Sequence, residues 1–509
     1  MSEPSILIVG SGPAGLFAAS ELVRYGVRPR IVEQRLKPHH ETRGTALQPA
    51  VLELIDRAGL IEPFVNGAIH IKHAQILGPG MRELVSVDFA ELGCRYGFQC
   101  SQPQWRTEQI LRDHLKSRGV EVEYGVEVAA IDADPEALHV TLDAGGRTEV
   151  AKPRYLLGAD GAHGATRHSM HEHLVGETYT GQYVVADARL GLGLPPETTC
   201  IPVGATGFAL FGPLPGHRWL IFVNRDLGDA RADPPTEAEL GAMINARVGA
   251  DAGLSDLRWV SYFKMHRREA ESLGDGRRFL LGDAGHMSSP LGGEGINAAF
   301  MDAADIAWKL ALVIRGEARA SLLDSYAIER GMADAHALDV SNDIHANVVK
   351  LVGMCAAGGT PSLPASTADE IVAASRRRSM LDISYAGSPL VGQAGGGAGS
   401  PAPGERFPAS LRLRGESHHL IVFGEAPGLD KMRARWDGLV TIIDASAEGL
   451  DPAEAGAPEG GAVLVRPDGF IGFRAAPMNE ATMAALDAHL AGYLIPTGAA
   501  APQARSAGL

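Results

Sequence analysis

A glycine-rich loop near the amino end constrains the fold of this 509-residue chain more than any other feature. The loop comprises residues 10–15, with the sequence Gly-Ser-Gly-Pro-Ala-Gly. Residues 5–9 before it predict a buried strand, and residues 16–25 after it predict a helix. A second strand over 27–32 ends on Glu33. In this context the glycines permit a tight turn and the close approach of a pyrophosphate, and the acid accepts hydrogen bonds from ribose hydroxyls. The pattern predicts a Rossmann-type α/β fold that binds FAD or NAD, because Glu33 would repel the 2′-phosphate of NADP.

A second glycine-rich loop, residues 282–297, has the same setting of strand, loop and helix. Residues 278–281 predict a short buried strand before it, and residues 298–314 predict a helix after it. The start of that helix presents free backbone N–H groups and the positive end of the helix dipole. Asp283 stands at the strand exit, where it is placed to grip a sugar-like hydroxyl. The loop therefore predicts a docking site for a negatively charged group.

Composition narrows the class of protein. The length predicts two or three domains, and 45% apolar with 21% charged residues is ordinary for a soluble enzyme. The net charge of -15 argues against nucleic-acid and membrane partners. With no basic leader and no apolar run of the roughly 18 residues that a membrane span needs, we expect a cytoplasmic protein. Widely spaced cysteines fit a reducing compartment and are interpreted as small buried hydrophobes: Cys94, Cys100, Cys200 and Cys355.

Between the two loops the pattern alternates between helices and strands. Arg43, in a polar segment, is from its context either a pyrophosphate partner or a solvated surface residue. Thr107 is the predicted cap of a helix over 107–118. The other expected elements are an amphipathic helix over 45–61 interrupted by Pro49, strands over 71–88, paired strands over 120–133 and 137–142, and a strand with an acid-Gly turn over 155–161.

Residues 178–260 change toward strand composition, and a sheet inserted between two nucleotide-binding halves is the expected place for a substrate. Each aromatic or imidazole candidate there is more often core or surface than pocket. The candidates are Tyr183, Phe208, Phe211, His217, Phe222, Tyr262 and His266. The histidine run at 163, 168, 171 and 173 lacks a regular set of ligands, so no metal site is predicted.

The carboxyl-terminal third predicts a long helix over 332–354, a Gly/Ala/Pro linker over 392–404 that marks a domain boundary, and a further domain. That domain has four expected strands, at 420–423, 439–443, 462–465 and 471–474, and a helix over 478–494. It contains no cysteine, which excludes dithiol chemistry and favours a structural or dimerisation role.

Three motifs carry a resemblance to a known family: the loop at 10–15, the Gly158-Ala159-Asp160-Gly161 turn with Arg167 after it, and the loop from Gly282-Asp283 to Gly295-Ile296-Asn297. In order and spacing the chain resembles the FAD-dependent aromatic hydroxylases, the group A flavoprotein monooxygenases with the para-hydroxybenzoate hydroxylase fold. It is most similar to their three-domain phenol and polyketide hydroxylase branch.

The resemblance implies a Rossmann-type FAD-binding domain (1–177 and 268–390), an inserted, mostly β substrate domain (178–267) and a thioredoxin-like domain (405–509). It implies an enzyme that binds FAD, consumes NADPH or NADH, and hydroxylates a phenolic or polyketide-type substrate with O2 through a flavin C4a-hydroperoxide. A monomer or homodimer is expected. The base that activates the phenol is left open.

The resemblance also implies the cofactor-binding residues. Arg43 and Gln104 match family positions beside the pyrophosphate and ribityl chain, Asp160 would serve both FAD and nicotinamide, and Asp283 would grip the ribityl or pyrophosphate region. The ADP half would be held by Gly10, Gly12, Pro13, Ala14, Gly15, Glu33, Gln34 and Arg35. The isoalloxazine ring would be wrapped by Pro290, Gly293, Gly295, Ile296 and Asn297.

The chain departs from the family at Gly285, Ser289 and Glu294, where Ala, Pro and an amide or apolar residue are more frequent. The same frame also serves Baeyer–Villiger and antibiotic-modifying monooxygenases, isoprenoid reductases and halogenases, although the WxWxIP motif of the halogenases is absent. A non-catalytic flavin scaffold is a further alternative.

Overall fold

The computed structural model describes residues 5–40, 42, 44–134, 137–225, 233–287, 293–359, 361, 368–396, 399–408 and 411–498. The helices in these ranges are α1 (Pro13–Arg24), α2 (Pro49–Arg57), α3 (Ile61–Val65), α4 (Gln104–Ser117), α5 (Ala165–Ser169), α6 (Glu237–Val248), α7 (Gly295–Ile314), α8 (Asp324–Ala356), α9 (Ala368–Arg378), α10 (Leu429–Arg435) and α11 (Glu480–Tyr493). Short 3-10 turns lie at Pro79–Met81, Phe89–Leu92, Gly282–Ala284 and Ala320–Leu323.

The strands are β1 (Ile6–Val9), β2 (Arg30–Glu33), β3 (Ala46–Leu47), β4 (Ile69–Ile71), β5 (His73–Gly78), β6 (Arg82–Asp88), β7 (Gln99–Ser101), β8 (Val122–Tyr124), β9 (Glu127–Ala133), β10 (Leu138–Asp143), β11 (Thr148–Ala151), β12 (Tyr155–Gly158), β13 (Leu174–Arg189), β14 (Thr198–Gly204), β15 (Gly207–Leu214), β16 (Arg218–Arg225), β17 (Ser255–Ala270), β18 (Arg278–Leu280), β19 (His286–Met287), β20 (Gly392–Ala394), β21 (His418–Phe423), β22 (Val440–Asp444), β23 (Gly461–Val465) and β24 (Ile471–Ala475).

A parallel sheet in the order β18-β12-β1-β2-β8 confirms the predicted Rossmann-type unit. Strand β1 is buried on both faces, as its uninterrupted apolar sequence predicts for a parallel sheet. Helix α1 packs against α7, where Phe17 and Phe300 stack with ring centroids 4.4 Å apart. Since the strands are parallel, the loops that follow β1, β12 and β18 all leave from one edge of the sheet.

The inserted sheet is larger than predicted. Its order is β19-β17-β13-β16-β15-β14-β5-β6, so residues 73–88 join strands that the sequence assigned to a separate domain over 178–267. The link is the parallel pairing of β14 with β5, and local alternation of side chains cannot specify such a distant partner. Helix α6 packs on one face of this sheet, and the carboxyl-terminal half of α8 packs on the other.

The carboxyl-terminal sheet has the order β20-β24-β23-β21-β22, and the order of its last four strands with α10 and α11 is thioredoxin-like, as expected. Its edge strand β20 lies within the segment predicted to be a linker over 392–404. Backbone pairing with β24 makes this segment a strand despite its lack of apolar side chains. A Cβ at Gly392 would lie 3.0 Å from the ring of Phe473, so a larger residue there would push against that ring.

One local prediction was confirmed in part and another was wrong. The helix expected over 45–61, with an early interruption at Pro49, is present as α2 over 49–57, whereas residues 46–47 form β3. The helix begins at Pro49 because proline lacks an N–H and suits the first helical position. Thr107 is not a helix cap, since α4 begins at Gln104. The Thr107 hydroxyl is buried and accepts a hydrogen bond from Nε2 of Gln102 at 2.9 Å.

The remaining broad expectations concern cysteines and membranes. All four cysteines are free thiols, and Cys94 alone is partly exposed whereas Cys100, Cys200 and Cys355 are buried. Within the described ranges, no helix combines the length and the apolar character that a membrane crossing requires. The domain boundaries themselves stay predictions.

Candidate active site

The first loop is built so that a ligand can approach its backbone closely. Gly10 has a φ of 102°, and a Cβ there would lie 2.2 Å from the carbonyl oxygen of Ala159. A Cβ at Gly15 would lie 2.2 Å from the carbonyl oxygen of Gly10. By contrast, a Cβ at Gly12 would meet no protein atom within 4 Å. Helix α1 begins at Pro13, and the residue before it, Gly12, has no side chain that could accept a hydrogen bond from the first turn. The N–H groups of Ala14 and Gly15 are therefore available to a bound anion.

Glu33 is locked into the first loop. Its Oε2 accepts hydrogen bonds at 3.0 Å from both the N–H and the hydroxyl of Ser11, and its Oε1 accepts the N–H and Nε of Arg35, also at 3.0 Å. Burial alone would raise the pKa of Glu33, but the bonds from Arg35 and Ser11 outweigh burial and lower that pKa. Glu33 is therefore ionised at neutral pH. Arg35 and Gln34, which follow Glu33, are exposed.

The acid-Gly turn after β12 lies against the first loop. Oδ2 of Asp160 accepts hydrogen bonds from the N–H and the hydroxyl of Thr166, at 2.9 and 3.0 Å, whereas its Oδ1 has no partner among the described residues. Burial raises the pKa of Asp160. A Cβ at Gly164 would lie 2.1 Å from Oδ1, so glycine is needed there. The turn thus offers one buried carboxylate oxygen to a ligand.

The loop after β18 reaches both of these elements. Gly282 has a φ of 57°, and a Cβ there would lie 3.5 Å from Cβ of Ala14. Its N–H donates to Oδ2 of Asp302 at 2.8 Å. Arg167 ties this loop to the acid-Gly turn by donating to the carbonyl oxygens of Ala284 and Ala162 at 2.9 and 2.5 Å. The side chain of Asp283 is exposed at this turn, as a ribityl or pyrophosphate contact would require.

The start of α7 is fixed to two other segments. Asn297 is fully buried, accepts the N–H of Gln48 at 2.8 Å, and donates to the carbonyl oxygens of Ala46 and Gly293 at 2.9 and 2.6 Å. Its amide therefore holds this helix start in place. Oε1 of Gln104 accepts the N–H of Gly44 at 3.0 Å, and a Cβ at Gly44 would lie 3.2 Å from Cβ of Ile296. The structure brings Gln104, Gly293 and residues 295–297 together on one side of the site.

Two predicted residues, Arg43 and Pro290, lie outside the described residues. The substrate-sheet candidates separate into two faces. Tyr183 and Phe222 stack with centroids 5.0 Å apart, and Phe208 adjoins them on the face toward α8. Phe211 and Tyr262 belong to the opposite face, with α6. The remaining candidates are peripheral: His217 is exposed in a turn, and His266 contacts the hydroxyl of Thr178 at 3.0 Å.

Sequence reasoning missed a buried cluster behind the second loop. Nε2 of His286 lies 2.8 Å from Oδ2 of Asp302 and 3.7 Å from Oδ2 of Asp334, a grouping with the ligand types of a metal site. Arg330 donates to Oδ1 of Asp302 at 2.7 Å, so a guanidinium already supplies positive charge there. Burial lowers the pKa of His286, but Asp334 and Asp302 outweigh it and raise that pKa to about 9. Charged residues inside the apolar sequence of α7 were the available signal.

Comparison with known proteins agrees with this geometry. The model of the "FAD binding domain" family matches residues 3–341, and the model described as "Aromatic-ring hydroxylase, C-terminal" matches residues 400–494. The first match covers more than half of the chain. The chain belongs to the FAD-binding family of flavoprotein aromatic-ring monooxygenases.

Several relatives and solved structures cover nearly all of the chain, among them the following three. The 6-methylpretetramide 4-monooxygenase of Streptomyces rimosus is 31% identical, with 99% of this chain and 96% of the relative aligned. The anhydrotetracycline hydroxylase OxyS of Streptomyces rimosus has a TM-score of 0.76 and 26% identity, covering 97% of this chain and 99% of that one. Aklavinone-11 hydroxylase, solved with FAD and aklavinone, has a TM-score of 0.78 over 96% and 98% of the two chains, and at 24% identity it shows the fold alone.

Proposed function

We propose that this monooxygenase uses NADPH or NADH to hydroxylate an aromatic substrate of phenolic or polyketide type. One observation carries the proposal. The glycine loops after β1 and β18, the acid-Gly turn after β12 and the start of α7 converge at one edge of a parallel sheet. Beside them stands a second sheet with an aromatic cluster on one face. The converging loops suit a dinucleotide, and the aromatic cluster suits an aromatic ring.

The residues where these loops meet, at the edge of the parallel sheet, fit FAD. The open space at Gly12 admits a pyrophosphate, and the free N–H groups at the start of α1 suit its charge. Oδ1 of Asp160, which has no partner among the described residues, is an acceptor for a hydroxyl group, whereas a ribose at Glu33 would share its carboxylate with Ser11 and Arg35. Asp283 is exposed at the turn between them. We assign the ADP half to the first loop with Glu33, Gln34 and Arg35, and the flavin ring to the start of α7.

Bound FAD supplies the activation of O2 that no side chain can supply. The overall reaction balances as aromatic C–H, O2, NAD(P)H and a proton giving aromatic C–OH, water and NAD(P)+. The chain's own part is to orient the ring, exclude water and hold charge at the start of α7. Tyr183, Phe208 and Phe222 are proposed to form the apolar wall of the substrate pocket, because they share the face toward α8. The base that removes the phenol proton is not assigned.

A substrate of polyketide type is favoured because two proteins that align with nearly the whole chain are named for such compounds, 6-methylpretetramide and anhydrotetracycline. NADPH or NADH is proposed as a visiting co-substrate, since the sequence has one dinucleotide loop and bound FAD would fill it. The Baeyer–Villiger, antibiotic-modifying and scaffold alternatives are not favoured by the same comparisons. A monomer or homodimer in the cytoplasm, without nucleic-acid or membrane partners, completes the proposal.

The test combines a spectrum, a rate and a product mass. Purified protein is expected to show the absorbance of bound FAD, and apoprotein is expected to regain it on incubation with FAD. Oxidation of NADPH and NADH is followed with a panel of simple phenols and polycyclic phenols, with a no-substrate control. A substrate should accelerate oxidation and gain one oxygen atom by mass. Failure to bind FAD would overturn the proposal, and oxidation that yields only hydrogen peroxide with every panel member would overturn its substrate class.

A further inference from the structure

Glu294 occupies the position immediately before α7, beside the predicted flavin ring site. It is the N-cap residue of the helix, yet its side chain makes no capping hydrogen bond. Only 1% of the residue is exposed. An acidic side chain at an N-cap ordinarily accepts from the first helical turn, so this side chain leaves those N–H groups to another acceptor.

Both carboxylate oxygens of Glu294 lack a hydrogen-bond partner among the described residues. Its neighbour Asn297 differs, since that amide makes three hydrogen bonds within the protein. A buried carboxylate without partners is costly as an ion and is far less costly as a neutral acid. Burial accordingly raises the pKa of Glu294 to about 7, although Arg378 and His336 oppose the shift.

The charged groups around Glu294 come from two elements. Arg378, at the end of α9, is half-buried, its buried Nε has no hydrogen-bond partner among the described residues, and burial lowers its pKa. His336 of α8 has its Nε2 3.1 Å from Oδ1 of Asp382, which raises the pKa of His336, while burial and then the charge of Arg377 oppose this shift. On α7 itself the nearest acid is Asp302, which His286 and Arg330 engage. Residues 288–292 are Ser-Ser-Pro-Leu-Gly by sequence and carry no titratable side chain.

We propose that Glu294 is a positioning residue for the flavin: as a neutral acid it leaves the amino end of α7 to stabilise negative charge on the cofactor, and as an ion it opposes that charge. The inference rests on the proposed function, in which the start of α7 faces the flavin ring. The neutral form leaves the N–H groups and helix dipole uncompensated, as anion binding requires. The ionised form places a full negative charge at the same helix start.

Protonation and flavin reduction are therefore linked. With FAD bound, transfer of a hydride from NAD(P)H would add negative charge at the start of α7, and Glu294 would favour that charge by holding a proton taken from solvent. No bond of the substrate is made or broken by Glu294. The reduced flavin should bind more tightly, relative to the oxidised flavin, at pH values where Glu294 carries its proton.

The experiment measures the midpoint potential of bound FAD between pH 6 and pH 8.5 in wild type, Glu294→Gln and Glu317→Gln. Gln keeps the shape of Glu294 and cannot ionise. Glu317 follows the other end of α7, where it pairs with Arg315 at 2.7 Å, so its variant controls for loss of one negative charge. From pH 6 to pH 8.5, the affinity for reduced flavin relative to oxidised flavin should fall in wild type and in Glu317→Gln. This fall should be about tenfold larger than the fall in Glu294→Gln, which corresponds to ~30 mV for a two-electron couple. Parallel profiles in all three proteins would overturn the inference.

A second measurement does not need the cofactor and serves if Glu294→Gln fails to fold. Infrared spectra of apoprotein should contain a protonated carboxyl band of Glu294 that disappears between pH 6 and pH 8.5. Burial also raises the pKa values of Asp305 and Asp334, and the band of Glu294 is distinguished from theirs by its response to a change at His336. His336→Gln removes a positive charge and should move that transition to higher pH. A band that is absent, or a transition that His336→Gln leaves in place, would contradict the inference. These outcomes differ from failure of the proposed function, in which wild type would not bind FAD at all.

Discussion

The guanidinium of Arg466 and the carboxylate of Glu329 form a fully buried, two-pronged ion pair, with Nη1–Oε1 at 2.5 Å and Nη2–Oε2 at 2.9 Å. Arg466 belongs to the carboxyl-terminal domain and Glu329 to α8. Lys309 of α7 donates to the same carboxylate at 2.6 Å, and Arg466 also pairs with Asp468. Burial alone would raise the pKa of Glu329, but Arg466 and Lys309 outweigh it and lower that pKa. The carboxyl-terminal domain and α8 are thus joined by a buried ion pair whose groups contact each other directly.

Arg466→Met should therefore destabilise the whole protein. The substitution leaves Glu329 buried with one cation fewer, and breaking a buried pair costs about 3–5 kcal/mol. Unfolding in urea, followed by circular dichroism, should show a large loss of unfolding free energy. Arg435→Met is the matched control, because Arg435 pairs with Asp487 at 2.6 Å with its side chain 45% exposed, and such pairs contribute about 1 kcal/mol or less. Equal losses in the two variants would contradict the prediction.

Alkaline pH should weaken the cluster behind the second loop. The pKa of His286 is raised from 6.5 to about 9, so its contribution to stability is fully present below pH 6.5 and is lost as pH rises through about 9. A shift of this size corresponds to at most about 3 kcal/mol. The unfolding free energy of wild type, measured at pH 6, 7.5 and 9, should fall more steeply than that of His286→Gln. His217→Gln, at an exposed turn, should keep the wild-type slope, and equal slopes for all three would refute the assignment.

The amino-terminal unit was predictable because every signal in it is local. An apolar run, a glycine loop, a helix and an acid follow one another within residues 5–33, and each has its own backbone or side-chain reason. The strands of the thioredoxin-like domain were also predictable, because each is a local apolar run in the sequence. The resemblance to the family was also visible in short motifs around Asp160 and Gly282.

The rest depends on partners that are distant in sequence. Arg466 lies 137 positions from Glu329, so no local pattern indicates that these charges neutralise each other. Strand β5 joins the inserted sheet through β14, more than a hundred residues later. Glu294 stood out in the sequence as a departure from the family, but its lack of partners became visible only when α8 and α9 were placed around it.

Gly12→Ala should separate folding from cofactor binding. Gly12 has an ordinary φ of -73°, and an added Cβ meets nothing within 4 Å, so the apoprotein should fold as well as wild type. The methyl group would instead occupy the space proposed for the pyrophosphate. We expect at least a ~10-fold increase in the dissociation constant of FAD, since about 1.4 kcal/mol of lost contact suffices. Fluorescence titration measures it, and Gly492→Ala, in α11 with equally open space, should leave it unchanged. Equal affinities in the two variants would count against the assigned loop.

Asp283→Ala should weaken retention of FAD without affecting folding. The Asp283 side chain is exposed at the turn after β18, and a surface substitution of this kind ordinarily changes the unfolding free energy by about 0.5 kcal/mol or less. The loss should appear as a lower ratio of bound flavin to protein after gel filtration, with a faster release of FAD on dilution. Asp113→Ala removes an exposed acid from α4 and should retain FAD as wild type does. If the two variants keep equal flavin occupancy, Asp283 is not a ligand of the cofactor, and the contact must come from the backbone of the Gly282 loop instead.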